Sequence, residues 1–406
     1  MLRPALLIAV AWLLPIASVR AEPAPAFQDL LAQAAGAPTP TASAAELEAA
    51  QARRLQAGAW INPELDVTVE NFGGPGPTRG GEQTQATVSI GQTVELGGKR
   101  QARIAAAGAD LTAAEAKSLL SRADYAARLA VAYAEAEAAG RRVALAGDAL
   151  DAAETDARSA KILVESGKEA PLRGLQAAAD ADRGRAELAA ARSSETIAFA
   201  RLTALAGAPR LYDRIAVSLL DRARQAQDAP SSSPAAVAAA TAEREAAAAR
   251  LRSAHAAAFP DIKFSLGVRR YQDTNRSAFV AGASLPLPLF DRNRGGVAEA
   301  QADLRGSEAR LRQAELDTDA DRRVAEAQAA SARTQLAAAQ SSDQAAAEAY
   351  RLARIGYEAG RLPLLELTAA RRTLADARGR TLDAQLDQVK AEAEIARLAG
   401  RTPFGE

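Results

Sequence analysis

The chain states one pattern twice. Trp60-Ile-Asn-Pro63-Glu-Leu65 opens an alternating apolar and polar stretch, followed by a long helix-forming tract, a turn at Gly167, a shorter helical tract and Leu205-Ala-Gly-Ala-Pro209. From Phe259-Pro260-Asp-Ile262 the same order returns, with its turn at Gly360 and its close at Leu398-Ala-Gly-Arg-Thr-Pro403. Matching landmarks lie 193 residues apart at the two turn glycines and 197 apart at Pro63 and Pro260. Self-similarity at a fixed offset predicts an internal tandem duplication of one unit, a strand pair followed by a helical hairpin. The expected first repeat is 22–208, with its β-hairpin near 62–95 and its helical hairpin near 98–207. A linker covers 209–233, and the second repeat is 234–406, with a β-hairpin near 260–289 and a helical hairpin near 294–400.

Composition decides how such a unit packs. The 406 residues are 48% hydrophobic but only 4% aromatic, because alanine supplies most of the apolar content. Alanine favours helix and lets helices approach closely, yet buries little area per residue, so packed helices of coiled-coil type fit better than a core of large side chains. Lys+Arg and Asp+Glu are both 50. That balance removes the electrostatic argument for nucleic acid and reads as solvated helix faces. Cysteine is absent and the single methionine is the initiator, which excludes disulfides, thiolate zinc sites, a thioether copper relay and a lipid-modified N-terminal cysteine.

Residues 1–21 have the form of an export signal: Arg3 as the charged region, Leu6 to Leu14 as the apolar region, and Val19-Arg-Ala21 as a small-residue cleavage site before Glu22. The apolar run is short of the roughly 20 residues that a spanning helix needs. The mature chain is therefore expected to be exported, nearly neutral and without a transmembrane helix.

Each repeat carries two stretches of period two. Leu65, Val67 and Val69 alternate with polar residues, as do Ala86, Val88 and Ile90 across the Gly- and Pro-rich loop 71–81. Ile262, Phe264, Leu266 and Val268 repeat the pattern, followed by Phe279, Ala281, Ala283 and Leu285. Strands of about ten residues suit a tilted outer-membrane strand. They equally suit a soluble sandwich edge or a small sheet capping a helical bundle; export tilts the reading toward a barrel. Four strands are too few to close one, so chains must pool their strands.

The helical tracts set the other dimension. No proline interrupts Pro77 to Pro171 or Pro288 to Pro363. Helices of roughly 65 to 68 residues, at about 1.5 Å rise each, span on the order of 100 Å, which suits a conduit wall or a coiled-coil rod. A seven-residue phase runs through Leu304, Leu311, Ala325, Ala332, Ala339, Ala346 and Ala353. At the far ends, Val164-Glu-Ser-Gly167-Lys-Glu-Ala-Pro171-Leu172 and Tyr357-Glu-Ala-Gly360-Arg-Leu-Pro363-Leu364 each place a C-cap glycine just before a helix-starting proline. The return helices, about 172–207 and 363–399, are half as long, so shorter helices near 44–58 and 235–257 must stack end to end with them.

Asn62-Pro63-Glu64-Leu65, Glu70-Asn71-Phe72-Gly73-Gly74, Glu95-Leu96-Gly97-Gly98-Lys99-Arg100 and Leu285-Pro286-Leu-Pro288-Leu-Phe290-Asp291 resemble the outer-membrane efflux protein (TolC-like) family over essentially the whole mature chain. Among its branches they look most like the outer-membrane component of cobalt–zinc–cadmium-type heavy-metal RND exporters. The resemblance implies a mainly α fold with membrane β structure. It implies a homotrimer whose twelve strands, four per chain, form one β-barrel in outer-membrane lipid, continued by a long periplasmic α-helical barrel. It implies the exit duct of a tripartite pump, with a periplasmic adaptor (membrane fusion) protein and an inner-membrane RND transporter as partners. No enzyme activity and no cofactor follow from it. Adaptor docking is implied at the helical tips, at Gly167, Leu172, Gly360, Pro363 and Leu364. A periplasmic gate is implied a few positions past the second tip glycine, where Glu366 holds the first acidic position and Ala369 stands where some relatives carry a second acid. A Glu366 turned outward would instead pair with Arg361 or Arg371.

Other conspicuous residues carry plainer readings. His255, the one histidine, has no partner at metal-ligand spacing. Trp60 suits an interfacial aromatic. Gly97-Gly98-Lys99-Arg100 lacks the preceding glycine and following Ser or Thr of a phosphate loop. Two further classes remain open, an adaptor with one helical hairpin in a β-rich module and an exported coiled-coil structural protein, beside a drug-exporting duct of the same family.

Overall fold

The computed structural model describes residues 22–222, 234–359 and 361–404; the expected export signal at 1–21, linker residues 223–233, Gly360 and residues 405–406 lie outside the described residues. A strand and a short helix come first, β1 (Glu22–Ala24) and α1 (Phe27–Gln33); a further short strand, β4 (Tyr212–Ile215), lies later in the chain. The order α2 (Pro38–Ala57), β2 (Glu64–Glu70), β3 (Gln85–Val94), α3 (Lys99–Glu165) and α4 (Pro171–Ala206) then recurs. Its second appearance is α5 (Ala235–Ala256), β5 (Ile262–Tyr271), β6 (Arg276–Ser284), α6 (Arg294–Glu358) and α7 (Leu364–Leu398). α2 begins six residues earlier than its periodicity suggests, because Pro38 and Pro40 occupy the first turn, where a missing N–H costs nothing.

The chain folds as two compact units, one drawn from 38–127, 226–330 and 391–406, the other from 1–37, 128–225 and 331–390. In the first unit β2, β3, β5 and β6 form one antiparallel sheet in that order, so the hairpins of the two halves are joined through β3 and β5. Leu65, Ile90, Leu266 and Ala281 stand in one row across it, and Val67, Val88, Val268 and Phe279 in the next row of the same face. These side chains are exposed, Phe279 at 88% and Leu65 at 72%. The opposite face carries Glu64, Asp66, Glu70, Lys263, Arg269 and Arg276. Among the described residues, β2 and β6 have no outer strand partner.

The junction between strands and helices in this unit explains the Gly97-Gly98-Lys99-Arg100 motif. Gly97 has φ +64°, and a Cβ there would lie 2.5 Å from the Phe259 ring. Arg100 donates to the Gly58 carbonyl at 2.6 Å and stacks 4.5 Å from the centroid of Trp60, while Arg103 donates to the Ala57 carbonyl at 3.0 Å. Two guanidinium groups thereby satisfy carbonyls left open at the end of α2. Lys99 pairs with Asp261 at 2.8 Å. Helix packing here is alanine against alanine: Ala113 of α3 against Ala242 and Ala246 of α5.

The second unit has a different anchor. β1 and β4 pair in parallel, and Phe27 packs edge-on to Tyr133 of α3 at 6.0 Å between ring centroids. The fully buried Tyr133 hydroxyl donates to the Val217 carbonyl at 2.7 Å, with the Pro25 carbonyl at 3.0 Å as a second acceptor. Burial and the charge of Glu137 push its pKa up to about 12. On α6 the buried apolar residues are Ala325, Ala329, Ala332, Leu336, Ala346 and Ala353, which include four of the seven-residue phase, while Leu304, Leu311 and Ala339 are half-buried.

Candidate functional site

At the first helical tip, the chain reverses in a Schellman motif. Gly167 sits at φ +70° and its N–H donates to the Val164 carbonyl at 3.0 Å, while the Lys168 N–H donates to Leu163 at 2.9 Å. Pro171 then begins α4 at a position needing no hydrogen-bond donor. The second tip repeats the bonding: the N–H groups of Arg361 and Leu362 both reach the Gly356 carbonyl, as those of Lys168 and Glu169 both reach Leu163. Leu362 lies close over Gly356, where a Cβ would meet its Cδ1 at 2.7 Å. Pro363 immediately precedes α7. Gly360 and the Leu364 side chain lie outside the described residues.

Leu172 is exposed, and so are three apolar side chains that the sequence reading did not single out, Ile162, Leu175 and Leu365. Leu175, Val164, Pro171 and Gly174 line a groove between α3 and α4, with Glu154, Arg158, Lys161 and Arg185 around it. Their apolar character was visible, but in an alanine-rich helix nothing marked them as outward-facing.

Glu366 lies in the first turn of α7, exposed, its N–H bonded to the Pro363 carbonyl at 3.1 Å. A carboxylate in a first helical turn is favoured by the positive end of the helix dipole. Of the two arginines named for an outward pair, one is engaged elsewhere in this chain. Arg371 is held by Asp156 at 2.5 Å, both side chains largely shielded, and Glu366 forms no ion pair with Arg361 or Arg371 among the described residues. Arg372 is paired with Asp180. Ala369 is exposed. Among the described residues, the first-turn carboxylate is therefore presented without an ion-pair partner.

A buried polar cluster in this unit escaped sequence reasoning. Glu137 is 6% exposed and accepts from Ser218 Oγ at 2.6 Å, from the Leu219 and Leu220 N–H groups at 2.8 and 3.2 Å, and from Arg141 at 2.6 Å. Arg141 also binds Asp221, and that guanidinium holds the Asp221 carboxyl below the ordinary carboxylate range. In the sequence, Glu137 and Arg141 are only an i, i+4 pair on a helix, indistinguishable from a solvated one. Here they clamp the segment following β4. Glu137→Gln would keep one acceptor oxygen, setting its NH2 against either the Leu219 and Leu220 N–H groups or Arg141, and would leave Arg141 less compensated. It is expected to cost about 3 kcal/mol and to speed tryptic cleavage at Arg214 or Arg222, read by limited proteolysis of the membrane-inserted protein.

His255 is exposed near the end of α5. Among the described residues, no three of His, Cys, Asp and Glu are grouped to hold a metal ion, and no helix is long and apolar enough to cross a membrane.

The sequence profile of the family described as "Outer membrane efflux protein" matches residues 33–208 and again 226–401. The nickel-cobalt-cadmium resistance protein NccC of Alcaligenes xylosoxydans xylosoxydans is 44% identical over 414 residues, covering 100% of this chain and 93% of its own. The nickel and cobalt resistance protein CnrC of Cupriavidus metallidurans is 45% identical, covering 81% of this chain and 79% of its own. The cobalt-zinc-cadmium resistance protein CzcC of the same organism is 32% identical, covering 89% and 86%. The open-state MtrE outer membrane channel of Neisseria gonorrhoeae superposes with a TM-score of 0.79 at 21% identity, covering 93% of this chain and 89% of that one. At that identity the likeness establishes the fold.

Proposed function

Since the chain belongs to the outer membrane efflux protein family, we propose that it is the outer-membrane exit duct of a tripartite RND-type pump that carries divalent heavy-metal cations to the cell exterior. The observation that carries the duct reading is the four-stranded sheet, with an exposed apolar face, a charged opposite face and two open edges. Unpaired strand edges are not tolerated in lipid, so the sheet must be completed by other copies. Its four strands alternate in direction, so the β6 of one copy meets the β2 of the next in antiparallel sense when all copies point the same way. Three copies give a barrel of twelve strands. The recurrence of the whole element order supports a tandem duplication, and two helical hairpins per chain favour the duct over an adaptor with one. The metal assignment draws on the relatives named for nickel, cobalt, cadmium and zinc resistance. The protein acts as a passive conduit and not as an enzyme, anchored by its strands after removal of residues 1–21.

The test is genetic and physical together. Deleting the gene should raise sensitivity to cobalt, nickel or cadmium, with complementation by the full chain, and the purified protein should show the native mass of a trimer. A stable, membrane-inserted monomer would overturn the barrel.

The tips are assigned to the adaptor. A Cβ on Gly167 would meet nothing within 4 Å apart from its chain neighbours, so within this chain a substitution there acts through the left-handed backbone. Gly167→Val is expected to strain the turn by roughly 1 kcal/mol or more. Trimer and insertion should persist while metal resistance falls, read by native electrophoresis beside growth on cadmium. Unchanged resistance would argue against docking at this tip.

A further inference from the structure

The charged face of the sheet contains a crossing that the duct function does not by itself require. Lys263 of β5 extends across β3 and places its Nζ 2.7 Å from Glu64 Oε2 and 3.2 Å from Asp66 Oδ2 on β2, two strands away. The strand between is cleared for it. A Cβ on Gly91 would lie 2.5 Å from Lys263 Cε, so β3 carries glycine where the lysine stem passes. Arg269 spans the same strand, bonding Thr87 at 2.9 Å and reaching Glu70 at 3.4 Å. With Arg276, the three bases on this face match its three acids, and the face has no net charge.

We propose that Lys263 is a specificity-determining residue, a tethered ammonium that fills the gap between Glu64 and Asp66 and so keeps the duct wall from retaining the divalent cations it passes. Two carboxylates two residues apart on one strand face are the oxygen ligands a hard or borderline divalent ion takes, with water completing its shell. In a closed barrel the pair recurs once per chain, and low-dielectric walls focus the field of such charges. A duct that bound its cargo there would clog at the concentrations it exports. The ammonium satisfies both carboxylates from a covalent tether, and a passing ion cannot displace it by mass action as it would displace a free counter-ion. This inference rests on the reading of the sheet as a barrel wall with its charged face inward.

The experiment uses the full-length trimer and cadmium as the probe. Lys263→Gln should bind about one additional Cd²⁺ per chain in equilibrium dialysis and, in planar bilayers, show block by Cd²⁺ at concentrations roughly tenfold below those acting on the parent. Adding Glu64→Gln and Asp66→Asn to Lys263→Gln should remove both effects. Gly91→Ala, which crowds the lysine stem without removing a charge, should move binding in the same direction and serves if Lys263→Gln does not assemble. An assembled Lys263→Gln or Gly91→Ala trimer with parental Cd²⁺ binding and block overturns the role of Lys263. A parent protein that forms no conducting pores overturns the duct reading itself, and the inference falls with it.

Discussion

Val88→Lys is expected to abolish stable insertion in the outer membrane, whereas Thr68→Lys leaves the protein inserted. Val88 stands on β3 in the row Val67, Val88, Val268 and Phe279, the apolar face of the sheet, while Thr68 stands on the opposite face beside Thr87 and Arg269. A lysine facing the hydrocarbon midplane costs roughly 2 to 4 kcal/mol, and a trimer incurs it once per chain. A lysine on the charged face remains hydrated. Density-gradient fractionation of membranes, with folding followed by heat-dependent electrophoretic mobility, separates the two. Equal insertion of both variants would mean that the apolar face does not meet lipid.

The second large effect is expected at the gate. Three copies of Glu366 about a tunnel axis would form a ring of carboxylates that attracts cations. With Arg371 committed to Asp156, Glu366 is not drawn outward by that arginine. Glu366→Gln should lower the potassium-over-chloride permeability ratio by about tenfold and weaken block by multivalent cations, measured from reversal potentials across a salt gradient in planar bilayers. A carboxylate in a surface ion pair would leave selectivity unchanged and contribute at most about 1 kcal/mol of stability. Identical selectivity in variant and parent eliminates the ring.

The parts of the fold that could be read from the chain are those written in a long period or by a backbone requirement. Period two over Leu65 to Val69 and Ile262 to Val268 marks strands because one face of each is apolar throughout. Gly167 before Pro171 marks a helix reversal because few residues other than glycine take a left-handed cap and proline tolerates a first turn. The pairing of β1 with β4 was not readable, since strands of 3 and 4 residues are too short to show a period. The clamp at Glu137 was not readable either: its partners lie some eighty residues on, in a segment whose local sequence suggests only a link. The crossing of Lys263 over Gly91 requires the register of three strands at once, and a single glycine in a strand announces only that something approaches closely. For Glu366, the chain supplied the helix start; that Arg371 was already occupied by Asp156 emerged only from the packing of α3 against α7.

The open sheet has a consequence before any duct exists. A chain exported and assembled as proposed would cross an aqueous compartment with the edges of β2 and β6 unpaired among the described residues and with Leu65, Val67, Val88, Leu266 and Phe279 uncovered on one face. Long apolar strands with free edges are templates for aggregation, and a folded sheet of this kind gains its partners only at a concentration-dependent rate. Such a chain in transit would be a client for holdases, whose preference for unassembled over inserted protein would set how much of it survives to assemble. Its cellular yield should thus respond to the supply of such chaperones far more steeply than the stability of the finished trimer does.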